Sequence, residues 1–106
     1  MLFEPYFMES LRYDGLKWRF LFDYEGMVTS QKEMNGNHWD YWKRVSCPIL
    51  LLHGTNSWAA NTLNIKEMAN KNKNVILKIY ENIGHTIHDE IREIFKKDVK
   101  EFLVSI

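Results

Sequence analysis

Along this chain the spacing of apolar residues changes from one stretch to the next, and each change of period predicts an element. Over residues 11–23 an Asp14-Gly15 pair separates two short runs. The second run alternates, with Trp18, Phe20 and Phe22 on one face and Lys17 and Arg19 on the other. This predicts a β-hairpin closed by a two-residue type I′ turn, with its aromatic face serving to pack. Residues 24–37 carry Gly26, Gly36 and polar residues around Met27 and Met34, and read as loop around one weak helix. Trp39-Asp40-Tyr41-Trp42-Lys43-Arg44-Val45 predicts a short amphipathic helix that stops before Ser46-Cys47-Pro48, since the residue before a proline is biased away from helical backbone. Residues 1–10 show no clear period and are left unassigned.

The second half of the chain is more regular. Ile49-Leu50-Leu51-Leu52-His53-Gly54 is a continuous apolar run closed by glycine, the pattern of a strand covered on both faces, as in a parallel sheet. Asn61 or Thr62 is placed to cap a helix whose inner side would hold Leu63, Met68 and Ala69. Val75 to Tyr80 then forms a second strand. Strand, helix and strand within about 30 residues match the size of a βαβ unit. Over residues 89–104, Ile91, Ile94, Phe95, Val99, Phe102 and Leu103 fall on one helical stripe. Acidic residues early in that stretch (Asp89, Glu90, Glu93) and lysines late (Lys96, Lys97, Lys100) suit the helix dipole. Domain organisation follows the change in pattern: residues 1–47 form a segment with the hairpin and a short helix, and residues 48–106 form an α/β core segment.

Composition narrows the class of function. The chain has 106 residues, 14 Lys plus Arg against 14 Asp plus Glu, and zero formal net charge, so nothing favours nucleic acid or an anionic membrane as partner. No apolar run approaches the roughly 18 residues of a membrane span. The start, Met1-Leu2-Phe3-Glu4-Pro5, lacks the basic flank and long apolar core of a signal peptide. A single cysteine, Cys47, excludes an internal disulfide framework and a cysteine-rich zinc site, and makes a reducing, cytoplasmic setting the expectation. Preceding Pro48 at the start of a strand, Cys47 reads as a buried structural thiol.

From residue 39 to residue 102 the chain resembles the C-terminal part of α/β-hydrolase-fold proteins. The residues that carry the resemblance are Pro48-Ile49-Leu50-Leu51-Leu52-His53-Gly54, the following helix, the strand to Tyr80, then Ile83-Gly84-His85-Thr86-Ile87-His88-Asp89 and a closing helix. The hairpin is similar to the segment that leads from cap to core in a subset of these proteins. The fold class implied is α/β, the C-terminal βαβα portion of a doubly wound α/β-hydrolase sheet preceded by a β-hairpin from the cap/core junction. Members of that family use a nucleophile on a strand-to-helix elbow, an acid and a histidine base. The resemblance places His85 at the base position. The chemistry suits a neutral imidazole, which can take a nucleophile's proton and return it to a leaving group near neutral pH.

The other members of such a site are missing from the expected places. Ser10, Ser30, Ser46, Ser57 and Ser105 all lack the flanking glycines of an elbow, and the oxyanion donors that belong with the elbow are missing as well. Where many relatives carry an acid beyond the strand, this chain has Gly54-Thr55-Asn56-Ser57-Trp58, and neither Asn56 nor Ser57 is anionic. Asp89, close to His85 in sequence, reads as a residue of the helix start. A competing alignment takes Leu51-Leu52-His53-Gly54 through Trp58 as the early strand and oxyanion loop of the same fold, but the next strand then leads to Gly84-His85 where an elbow is required. His38, His53, His85 and His88 suggest a metal, yet no recognised ligand spacing joins them. No metal or other cofactor is therefore expected.

Two functions of different classes follow. In the first, the chain is the C-terminal part of an α/β-hydrolase-like protein, carrying the base for hydrolysis of an ester or similar small substrate and inactive until an N-terminal half completes it. In the second it is a non-catalytic binding or assembly module, because so few strands leave a sheet edge and face to be covered. The cover would be the missing half or a second copy, giving a homodimer.

Overall fold

A computed structural model describes residues 9–106, so all but the last two of the unassigned residues 1–10 lie outside the described residues. The chain separates into two compact units, one ending at Asn37 and the other His38–Ile106. In the first, β1 (Leu11–Tyr13) pairs antiparallel with β2 (Trp18–Phe20), Leu11 opposite Phe20 and Tyr13 opposite Trp18. The reversal occurs at the expected Asp-Gly pair: beyond the Tyr13–Trp18 pair the Asp14 N–H still donates to the Lys17 carbonyl at 3.1 Å, which leaves Gly15 and Leu16 between them. The Asp14 Oδ1 accepts the N–H groups of Leu16 and Lys17, both at 2.9 Å, a side-chain turn that reinforces the reversal, and Gly15 takes the left-handed φ of 96° that the turn needs. Hydrogen bonds from the Lys17 and Leu16 amides, and then from Arg19, hold the Asp14 carboxyl below its ordinary pKa. The aromatic face expected to pack is open within this unit: Trp18 is 67% exposed, and Phe20 stacks on Phe22 with ring centroids 4.7 Å apart. Helix α1 (Tyr24–Met34) follows with no buried residue.

The second unit contains α2 (Trp39–Arg44), β3 (Ile49–Gly54), α3 (Thr62–Asn70), β4 (Val75–Tyr80), α4 (Ile87–Glu90) and α5 (Arg92–Ser105). Strands β3 and β4 pair in parallel from Ile49 opposite Val75 to Gly54 opposite Tyr80, with α3 as the crossover that parallel pairing requires. Asn61 caps α3, its Oδ1 accepting the Asn64 N–H at 2.8 Å. Ile65 is the buried residue of this helix, while Leu63, expected inside, is 78% exposed. Two residues along a helix rotate a side chain by about 200°, so Leu63 and Ile65 cannot share a face.

Asn72, 4% exposed, joins the helix before the sheet to the turn between α3 and β4. Its Nδ2 donates to the carbonyls of Trp42 and Val45, both at 2.9 Å, and its Oδ1 accepts the Asn74 N–H at 2.9 Å. Trp42 in turn donates its indole N–H to the Met68 carbonyl at 2.8 Å. The Trp42 carbonyl, which also accepts the Val45 N–H at 3.3 Å, and the Val45 carbonyl are thereby tied down at the end of α2. Cys47, expected to be buried, is exposed. It lies in the connection ahead of β3, where it is Asn72 and Asn74 that grip the chain, through the Val45 carbonyl.

The closing helix was expected to be single. It is two, broken at Ile91, whose backbone leaves the helical region at φ −131° and ψ 57°. The halves are held by different partners. On α4, Ile87 is buried and Glu90 Oε2 accepts the Gly84 N–H at 2.8 Å. On α5 the inward positions are Phe95, Asp98, Val99 and Phe102, while Ile94 and Leu103 of the expected stripe are half-exposed or more. Asp98, 9% exposed, is a charge on an apolar stripe. It accepts a hydrogen bond from the Tyr80 hydroxyl and faces Lys78 Nζ at 3.1 Å, so the carboxylate is buried with the partners it needs. The Tyr80 bond, and then Lys78, lower the Asp98 pKa against the opposing effect of burial. Burial, and then Asp98, raise that of Tyr80. Among the described residues no helix is long and apolar enough to cross a membrane.

Asp98→Asn should cost about 1.5–3 kcal/mol at neutral pH, the range for a hydrogen bond to a charged group. Because the folded pKa of Asp98 lies below its unfolded value, its contribution is complete above roughly pH 4 and lost as pH falls through the folded value. Urea melts of the two proteins should therefore converge on acidification, and a gap that stays constant to pH 2 would contradict this role. Tyr80, shifted up, contributes below its ordinary value of 10.0 and loses that contribution as pH rises. Gly54→Ala should destabilise by about 1–3 kcal/mol through overpacking, since a Cβ there would overlap the carbonyl oxygens of Ile83 and Gly84. Amide chemical-shift changes should concentrate at residues 82–86, and a variant with unaltered stability and shifts would show that the contact is slack.

Candidate functional site

Where β3 and β4 end side by side, the two loops that follow them are laced together. The Thr55 N–H donates to the Tyr80 carbonyl at 3.0 Å and the Asn56 N–H to the Ile83 carbonyl at 2.9 Å. Thr55 Oγ1 accepts the Asn82 N–H at 2.8 Å, where Asn82 takes a left-handed φ of 61°, a conformation asparagine tolerates better than most residues. The chain beyond Asn82 turns back over the end of β3, and only glycine at position 54 leaves room for it. The C-terminal end of parallel strands is where open α/β sheets place ligand sites.

His85 sits at this end of the sheet. Its Nδ1 is 3.0 Å from Ser57 Oγ, and the Trp58 ring lies against the imidazole at a centroid distance of 5.2 Å and an angle of 51°. Ser57 is fixed in turn: its N–H donates to the Gly54 carbonyl at 3.0 Å, and its Oγ accepts the Ala59 N–H at 3.2 Å. His53, 3% exposed, is the last side chain of β3, with Nε2 at 2.9 Å from Thr62 Oγ1. Both histidines, with Leu52, Gly54, Ser57, Ala60 and Ile65, line a cavity of about 110 Å³. This is small against the roughly 300–1,000 Å³ typical of small-molecule sites. Such a recess can hold a reacting group but not a whole substrate.

Of the four histidines considered for a metal, the structure brings together His53 and His85. His38 stands at the N-terminal end of α2, 6.4 Å from the Tyr41 ring. His88 pairs with Asp89 at 3.6 Å. Among the described residues no three His, Cys, Asp or Glu side chains are grouped to hold a metal ion. Asp89, read as a residue of the helix start, lies in the first turn of α4. Ser57 and His53 were not selected from the sequence. Ser57 lies 28 residues from His85, and a search for an anion passes over a hydroxyl. His53 closing an apolar strand beside Gly54 was the available signal for the second.

The chain matches no protein-family model and no curated protein sequence. Among solved structures it is similar to E-2-(acetamidomethylene)succinate hydrolase, an α/β-hydrolase, with a TM-score of 0.79 over 91% of this chain and 14% sequence identity. At that identity the likeness is one of fold. The chain spans 36% of the length of that structure, and what it shares is the architecture of part of an α/β-hydrolase.

Proposed function

We propose that this chain supplies the histidine side of an α/β-hydrolase-type site, with His85 as the general base for hydrolysis of an ester or similar small substrate. The observation that carries the reading is His85 lining a recess at the C-terminal ends of β3 and β4, with Nδ1 engaged by a hydroxyl, in a fold shared with part of a solved hydrolase. The nucleophile and oxyanion donors come from a separate N-terminal half, because no serine here has the glycine flanks of an elbow. A base without either supplies little acceleration, so this chain alone is inactive.

A second reading, assembly, is favoured by the exposure of the sheet. Within the second unit β3 and β4 pair only with each other, every residue of β3 before His53 is partly exposed, and Ile76 is 49% exposed. Parallel strands are normally covered on both faces. The cover is the N-terminal half or a second copy of the chain.

With an activated ester such as p-nitrophenyl acetate, the purified chain and its His85→Ala variant should hydrolyse substrate no faster than free imidazole at matched concentration. Saturable turnover that disappears in His85→Ala would sink the claim of inactivity. Light scattering after size exclusion should show a dimer. A monomer that melts cooperatively counts against the self-assembly reading.

A further inference from the structure

We infer that Ser57 is the positioning residue of His85: its hydroxyl, in place of a carboxylate, holds Nδ1 and aligns the imidazole with the recess. The assignment builds on His85 as base, but the contact that carries it is independent of any activity. Ser57 Oγ and His85 Nδ1 are 3.0 Å apart. A serine hydroxyl has one proton to donate and two lone pairs to accept with. One lone pair takes the Ala59 N–H, at 3.2 Å. The proton and the second lone pair remain for Nδ1. The Ser57 backbone is itself anchored on Gly54 at 3.0 Å, and Trp58 holds one side of the imidazole. Ser57 is therefore a fixed post and not a freely rotating surface hydroxyl.

The chemical consequence follows from the partner being neutral. A carboxylate at this point can only accept, so it forces the proton onto Nδ1, leaves Nε2 as the basic nitrogen and stabilises the imidazolium by charge. A hydroxyl can accept from Nδ1–H or donate to bare Nδ1. Both tautomers are thus held in one ring orientation, and the cation receives no charge partner from position 57. Other titratable groups near the pair are His53 across the recess, Glu90, whose Oε2 is bound to the Gly84 N–H, and the mutually paired His88 and Asp89.

Long-range ¹H–¹⁵N NMR of the four histidines from pH 5 to pH 8 tests this on the chain as it is, with His85 assigned from the spectrum of His85→Gln. Ser57→Ala should change the tautomer ratio and ¹⁵N shifts of His85 while leaving His38 and His88 unmoved. Ser57→Thr, which keeps the hydroxyl, should restore the parent pattern. Ser57→Asp should drive His85 to the Nδ1–H tautomer, since a carboxylate can only accept. Identical His85 spectra in the parent and Ser57→Ala, or no gain of the Nδ1–H tautomer in Ser57→Asp, would overturn the assignment. If the Ser57 variants move His85 as described and a completed enzyme nevertheless tolerates His85→Ala, the positioning role stands and the base reading falls.

Discussion

The last residue of β3 lies against the carbonyl oxygens of Ile83 and Gly84, and this approach of two backbones sets the distance between the loops carrying Ser57 and His85. Parallel pairing brings the two strand ends level, since Gly54 stands opposite Tyr80 in the register. It does not by itself bring the loops together. That closure is made by the Thr55, Asn56 and Asn82 amides, and it is compatible only with an absent side chain at position 54. The imidazole reaches its partner across 28 residues because a glycine lets two loops touch.

The Tyr80–Asp98–Lys78 contacts steady the same strand end from outside. Tyr80 closes β4, and its hydroxyl is tied to α5 through Asp98. Its carbonyl accepts the Thr55 N–H. One residue thus links the long helix to the loop bearing Ser57. A charged residue is tolerated on the inward stripe of α5 because hydrogen bonds and a counter-charge offset its desolvation.

The parts of the fold legible in the sequence were those governed by period and local capping. Ile49–Gly54 and Val75–Tyr80 appear as read, because continuous apolar runs bounded by glycine, proline or polar clusters leave few alternatives. A helix cap at Asn61 or Thr62 was visible for the same local reason, and Asn61 fills it. Departures arise where a side chain bonds at a distance or against type. Asp14 bonds the Leu16 and Lys17 amides through its side chain, and Asp98 took an inward position that an apolar count gives to Ile94 or Leu103. At the site, the Gly-His step was legible and its hydroxyl partner was not, because the sequence shows the residue types after each strand and not which of them meet.

The break at Ile91 has a bearing on how length can vary in this region. From Gly84 to Glu90 the chain is closed into a ring by the bond between the Gly84 amide and the Glu90 carboxylate, so an insertion or deletion inside it opens the ring beside His85. Beyond Ile91 the helix is gripped from the side, through Asp98, by Tyr80 and Lys78. A change of length after Phe102 touches neither that grip nor the ring. The few residues before the kink behave as a part of fixed gauge, and the helix after it is pinned through a single side chain.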